Sequence, residues 1–261
     1  MFSILLTVLF AQENPFLPPD QRAFERAMRI EDREKRVREL KRVMAEYPAS
    51  GGRDRIRLAI IDASARDEAE ADRLYRAEFP NPIAAGRYSG SRRRTVLLEA
   101  FAGADCGPCV AVDLAVEATI ERYSRDELAV VVYHRNVPTR DPMAVPLSDA
   151  RAEFYKVEAV PFYAIDGETF LDGGGRSLAP SVFEAMRRRI ETALRATEPV
   201  VNGPATVVAV DPLVRHTGRN GIRFHHMAAG RGTARLTFVQ DPITKRVARV
   251  RYVDGPQMDG R

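Results

Sequence analysis

The 261-residue chain carries only two cysteines, Cys106 and Cys109, with Gly107-Pro108 between them. An apolar stretch, Thr95 to Phe101, runs up to the pair, and a helix-compatible stretch, Val110 to Tyr123, follows it. A dithiol at a strand-to-helix turn has the parts that thiol–disulfide exchange requires. The first sulfur would sit at a helix N-terminus, where unpaired N–H groups and the macrodipole favour the thiolate. The second would sit one turn along, close enough to close a disulfide or resolve a mixed one. A purely structural disulfide is the alternative, but a bridge closing so short a loop constrains the unfolded chain very little. His134, at the end of the apolar run Leu128 to Tyr133, is a candidate for proton transfer beside the dithiol, or a hydrogen-bonded structural histidine.

Cys106-Gly107-Pro108-Cys109 after a hydrophobic strand resembles the active-site motif of the thioredoxin superfamily, and Val160-Pro161 before Phe162 to Gly167 resembles its second motif. The resemblance covers residues 92–197. It implies an α/β, thioredoxin-like fold, a central mixed sheet with helices on both faces. It also implies a cis Pro161 facing the dithiol, with the Val160 backbone pairing with an extended substrate segment beside Cys106. Glu99 would match the family's buried carboxylate, a proton relay to the resolving thiol, if a bulge at Ala102 to Asp105 absorbs one extra residue; the alternative is a surface glutamate at a strand end. Gly-Pro between the cysteines implies a reductant. By the same resemblance Cys106 and Cys109 are the catalytic residues and form the redox-active disulfide, with no cofactor. Asp105 stands where thioredoxins usually carry tryptophan, and its charge would raise the Cys106 pKa.

Positioning these residues needs a fold, and 261 residues can bury a real core. Apolar content of 45% and charged content of 29% suit a globular chain. Apart from the N-terminal run Phe2 to Ala11, no segment approaches the roughly 18 apolar residues of a membrane span. That run, followed by Gln12-Glu13-Asn14-Pro15, reads as a signal peptide over residues 1–11, cut near Ala11-Gln12, or as an uncleaved anchor, with a buried N-terminal strand as the alternative. The expectation is therefore an exported, periplasmic or extracytoplasmic protein, with a membrane-surface association through this segment as a further option. The net charge of +4 is uneven: residues 200–261 hold ten Lys/Arg against four Asp/Glu.

Residues 12–90 read as a helical extension and linker. Asp20 to Tyr47 is helical in pattern, a second helical region runs from Ile56 to Phe79, and Pro80 to Gly90 forms the linker. The extension would cover the domain that follows or form a partner-binding arm. The charged run Glu31 to Arg36 fits a solvated helix face and not a nucleic-acid patch. Residues 91–197 form the thioredoxin-like domain. Within it, proline-rich Arg135 to Leu147 reads as a loop over the active-site face, a candidate substrate lid. Ser148-Asp149 offers N-cap chemistry for a short helix, Asp166-Gly167 a hairpin turn, and Ser181 to Ala196 a closing helix. Gly173-Gly174-Gly175 lacks the Lys-Ser/Thr that a phosphate loop needs. Residues 198–261 read as a basic, β-rich appendage with strands at 206–210, 221–224, 235–239 and 247–253. His225, His226 and Met227 with His216 have metal-binding side chains, but adjacent strand residues face opposite ways, so no metal site is assigned.

The reading these observations favour is a thiol:disulfide oxidoreductase exchanging disulfides with protein substrates and served by a separate redox partner. The alternatives are a non-catalytic envelope binding or chaperone-like module, and a Cu/Zn-handling protein built on Cys106, Cys109 and His134.

Overall fold

The computed structural model describes residues 16–49, 52–216, 220–230, 232 and 234–254. The leader expected at residues 1–11 lies outside the described residues. The chain divides into two units, one up to Tyr75 and one from Arg76 onward.

The first unit is helical. The long pattern from Asp20 to Tyr47 is broken into α1 (Pro19–Met28) and α2 (Arg33–Glu46). The break falls inside the charged run, because the Asp32 carboxylate caps α2 by accepting from the Lys35 amide at 2.8 Å. α3 (Arg53–Ser64) follows, and α4 (Glu68–Glu78) begins in this unit and runs past Tyr75. Phe24, Ala27, Leu40, Val43, Ile56 and Ala59 form its core. Arg33 ties α2 to the end of α3 by donating to the carbonyls of Ala63 and Ala65.

The second unit is built on an eight-stranded mixed sheet. Its centre is β1 (Val96–Ala102) and β2 (Leu128–His134), parallel in register from Val96↔Leu128 to Ala102↔His134 and buried throughout. Near-continuous apolar runs suit strands covered on both faces. The parallel pair is connected by α5 (Val110–Arg122). After β2 the chain forms α6 (Pro146–Tyr155), β3 (Phe162–Ile165), β4 (Glu168–Phe170) and α7 (Ala179–Arg195). β3 lies antiparallel to β1, and β4 antiparallel to β3 through the expected turn. Asp166 and Gly167 both have positive φ there, as a two-residue hairpin requires. α5 and α7 pack against each other and reach β1.

Three expectations need correction. α6 begins at Pro146 with Val145 as its N-cap and no side-chain cap, so Ser148 lies inside the helix; proline at the first turn supplies the start instead. The expected linker packs along α5: Asn81 Nδ2 donates to the Leu114 carbonyl at 3.0 Å, Ile83 is buried, and the Tyr88 amide donates to the Arg122 carbonyl. The strands after residue 200 do not stand apart. β5 (Ala205–Arg215), β6 (Phe224–Ala229), β7 (Ala234–Gln240) and β8 (Val247–Asp254) continue the same sheet, in the order β4-β3-β1-β2-β6-β5-β7-β8. β6 runs parallel to β2 (Val132↔Ala228) and satisfies its outer edge, which an apolar strand cannot leave open.

Candidate functional site

Cys106 ends the turn after β1 in an extended conformation (φ −84°, ψ 104°) and caps a 3-10 turn, Gly107–Cys109, that runs directly into α5. The two cysteines form a disulfide of 2.07 Å with Cα atoms 5.3 Å apart. Cys109 is fully buried and Cys106 is 4% exposed, while Gly107 and Pro108 face solvent. Val160 and Pro161, joined by a cis bond, come to the same place: the Cys106 Sγ lies 3.9 Å from the Val160 carbonyl oxygen. The three-glycine turn closes the other side. The Gly174 amide donates to the Pro108 carbonyl (2.7 Å) and the Ala111 amide to the Gly174 carbonyl (2.9 Å). A Cβ on Gly173 would stand 2.3 Å from Pro161 Cγ and 2.9 Å from the Pro108 carbonyl oxygen.

His134 is brought near the approach to Cys106, through Asp141. Its Nδ1 lies 3.0 Å from Asp141 Oδ2, which also accepts from the Ala104 amide at 2.7 Å, two residues before Cys106. Burial alone would push the Asp141 carboxyl up. The bonds from His134 and the amides of Ala104 and Met143 outweigh it and hold the carboxyl below its ordinary value. The proline-rich loop is thus pinned to the strand–helix junction. The Arg135 amide donates to the Ala102 carbonyl, Thr139 Oγ1 donates to Asp105, and a Cβ on Gly103 would meet the Val137 carbonyl oxygen at 2.2 Å.

Glu99 is held elsewhere. Its Oε1 accepts from Arg151 Nε (3.0 Å), Arg151 Nη2 (2.6 Å) and Tyr133 OH (3.1 Å), and its Oε2 accepts from Tyr155 OH at 2.5 Å. Gln240 closes the network, accepting from Arg151 and donating to Tyr155, both at 2.8 Å. Burial works against the Arg151 charge, but Glu99 and the tyrosines keep its pKa above the ordinary value. No hydrogen bond among the described residues connects this network to the dithiol.

A second polar group lies along α5, C-terminal to Cys109. Asp113 Oδ2 accepts from Asn220 Nδ2 at 3.3 Å, and the Asn220 amide donates to the Ala104 carbonyl at 3.2 Å. Desolvation pushes the half-buried Asp113 carboxyl up to about 7; the charge of His134 opposes this and that of Asp141 adds to it. One turn further, Glu117 Oε1 lies 3.7 Å from His226 Nε2. His225 packs edge-on against His134, ring centroids 5.1 Å apart, and desolvation lowers its pKa to about 3. His225 and His226 do face different neighbours, and no three His, Cys, Asp or Glu side chains among the described residues are grouped to hold a metal ion.

Nothing in the sequence alone singles out Arg151, Tyr133, Tyr155, Asp141 or Asp113. The i, i+4 spacing of Arg151 and Tyr155 is the signal that could have found that pairing.

No family model matches the sequence, and no curated protein matches it. A solved structure, HBP35 of Porphyromonas gingivalis, is similar over 64% of this chain and 76% of that chain, at 14% identity and a TM-score of 0.42. A likeness of that size carries no argument about fold or activity. No helix among the described residues is long and apolar enough to cross a membrane.

Proposed function

We propose that this chain is a thiol:disulfide oxidoreductase with a thioredoxin-like core, acting outside the cytoplasm as a reductant of protein disulfides. One observation carries the reading: a Cys106–Cys109 pair at the N-terminus of α5, with the Cys106 sulfur set against the Val160 carbonyl. In this reading the Cys106 thiolate attacks one sulfur of a substrate disulfide, and the helix N-terminus stabilises its charge. The Val160 backbone lines up the substrate segment beside it. Cys109 then attacks the Cys106 sulfur, releasing the reduced substrate and closing the Cys106–Cys109 bond. The open ground above Gly107, where a Cβ would meet nothing within 4 Å, leaves room for a protein substrate. Export rests on the apolar N-terminal run, and a separate electron donor must reduce the pair for each turnover.

The test is the reduction potential of the pair together with trapping of the intermediate. A potential at or below about −250 mV is the expectation for a reductant. Cys109→Ser should accumulate a mixed disulfide with substrate proteins, and Cys106→Ser should form none. If neither variant traps a partner and the parent protein turns over no disulfide, the oxidoreductase reading fails and a binding module takes its place.

A further inference from the structure

Resolution of the mixed disulfide poses a problem that the geometry makes specific. Cys109 is fully buried, so its thiol must hand a proton to a neighbouring group before its sulfur can attack. Glu99, the carboxylate the sequence offers for this step, already accepts four hydrogen bonds, two of them from the Arg151 guanidinium. Both of its oxygens are thus committed to donors other than a cysteine thiol.

We infer that Asp113, one helical turn beyond Cys109 on α5, takes the Cys109 proton, and that Glu99 does not. The inference rests on the oxidoreductase reading. Residues four apart on a helix share a face, with Cβ atoms about 5–6 Å apart, and the Cα–Cβ bonds tilt toward the N-terminus. The Asp113 side chain therefore leans back over the turn that carries Cys109. Its single hydrogen bond among the described residues comes from a neutral amide, Asn220, so its oxygens are not committed to a cation. Asp113 as a residue is half-buried. The charged and titratable groups around it are Glu117 on its own helix, His134 from β2, Asp141 from the loop and His226 from β6. The two histidines favour its charged form and the two acids oppose it. The result, dominated by desolvation, is a carboxyl that titrates at about 7, where a general base is most effective.

The step balances within the protein. The Cys109 S–H proton passes to the Asp113 carboxylate while the Cys109 sulfur bonds to the Cys106 sulfur. The bond between Cys106 and the substrate breaks, and the substrate sulfur leaves as a thiolate with the electron pair. The dithiol is oxidised and the substrate disulfide reduced. Asp113 returns its proton to solvent.

The experiment is stopped-flow reaction of the reduced full chain with dithiobis(nitrobenzoate), which releases one thionitrobenzoate when Cys106 attacks and a second when Cys109 resolves. The first phase depends on reagent concentration and the second does not. In Asp113→Asn the first phase should be retained and the second slowed on the order of 100-fold. The rise of the second phase through about pH 7 should vanish, leaving only the thiol's own ionisation, at about 8.5 or above. Asp113→Glu should restore the rise in part, and Glu99→Gln should leave the second phase unchanged. Asp113→Ser replaces the asparagine variant if that variant does not fold. A second phase with parental rate and pH profile in the folded Asp113→Asn protein overturns the inference, as does its loss in folded Glu99→Gln protein alone. Absence of the first phase in the parent protein overturns the oxidoreductase reading instead.

Discussion

Arg151→Met tests whether Glu99 is a structural carboxylate. The pair is deeply buried, with side-chain exposures of 9% for Arg151 and 1% for Glu99. Removing one member of such a pair strands the other charge, a loss of about 3–5 kcal/mol. Two terms move the figure within that range. Tyr133 and Tyr155 still donate to Glu99, which softens the loss. Gln240 Oε1 loses its bond from Arg151, which adds about 1 kcal/mol. We expect about 3–4 kcal/mol, a large share of the roughly 5–15 kcal/mol typical of a folded domain. The chain has no tryptophan, so urea unfolding is followed by circular dichroism, with the two units allowed separate transitions. In the double variant Glu99→Gln/Arg151→Met much of the loss should return, because no buried charge is left unpaired. A single variant less than about 1 kcal/mol below the parent would refute the argument, since Glu99 would not depend on the guanidinium and would be free to act on protons.

Gly173→Ala should cost about 1–3 kcal/mol by overpacking and slow disulfide turnover, because the added methyl must displace the Pro161 ring or the Pro108 carbonyl; turnover and unfolding measured on one sample check both. Acid sensitivity should trace in part to His225. Its folded pKa, about 3, lies below the unfolded value near 6.5. The unfolded state therefore binds the extra proton first, and stability is lost as pH falls from about 6.5 toward 3, by at most about 5 kcal/mol. His225→Phe keeps the ring and removes the titration, so its urea midpoint should fall less steeply over this window than the parent's; an identical slope would remove His225 from the account.

The site was legible where local chemistry dictates structure. Two cysteines between an apolar strand and a helix, the apolar run Leu128 to Tyr133 of β2, and Asp166-Gly167 at a hairpin each announce themselves within a few residues. What was not legible depends on partners distant in sequence. Glu99 is read as a relay when only its own strand is considered; its role is decided by Arg151 and Tyr155 on α6 and by Gln240 on β7. β6 was expected to begin near Gly221, yet the strand starts at Phe224. Phe-His-His-Met-Ala-Ala has no alternation that marks a buried strand, and only the open edge of β2 explains why it is one. The break between α1 and α2 was hidden because Asp32 looks the same as a cap and as one charge in a solvated run.

The position of β6 also sets an order in time. A ribosome releases β1, the dithiol and β2 long before it reaches residue 229, so the nascent chain carries β2 as an open, largely apolar edge until the last quarter of the protein emerges. The Asn220 amide that meets the Ala104 carbonyl and the His225 ring that packs on His134 arrive in that same late segment. Synthesis therefore finishes the surroundings of the cysteines last, and a chain cut short at residue 197 would have both sulfurs but an unfinished setting and a sticky flank.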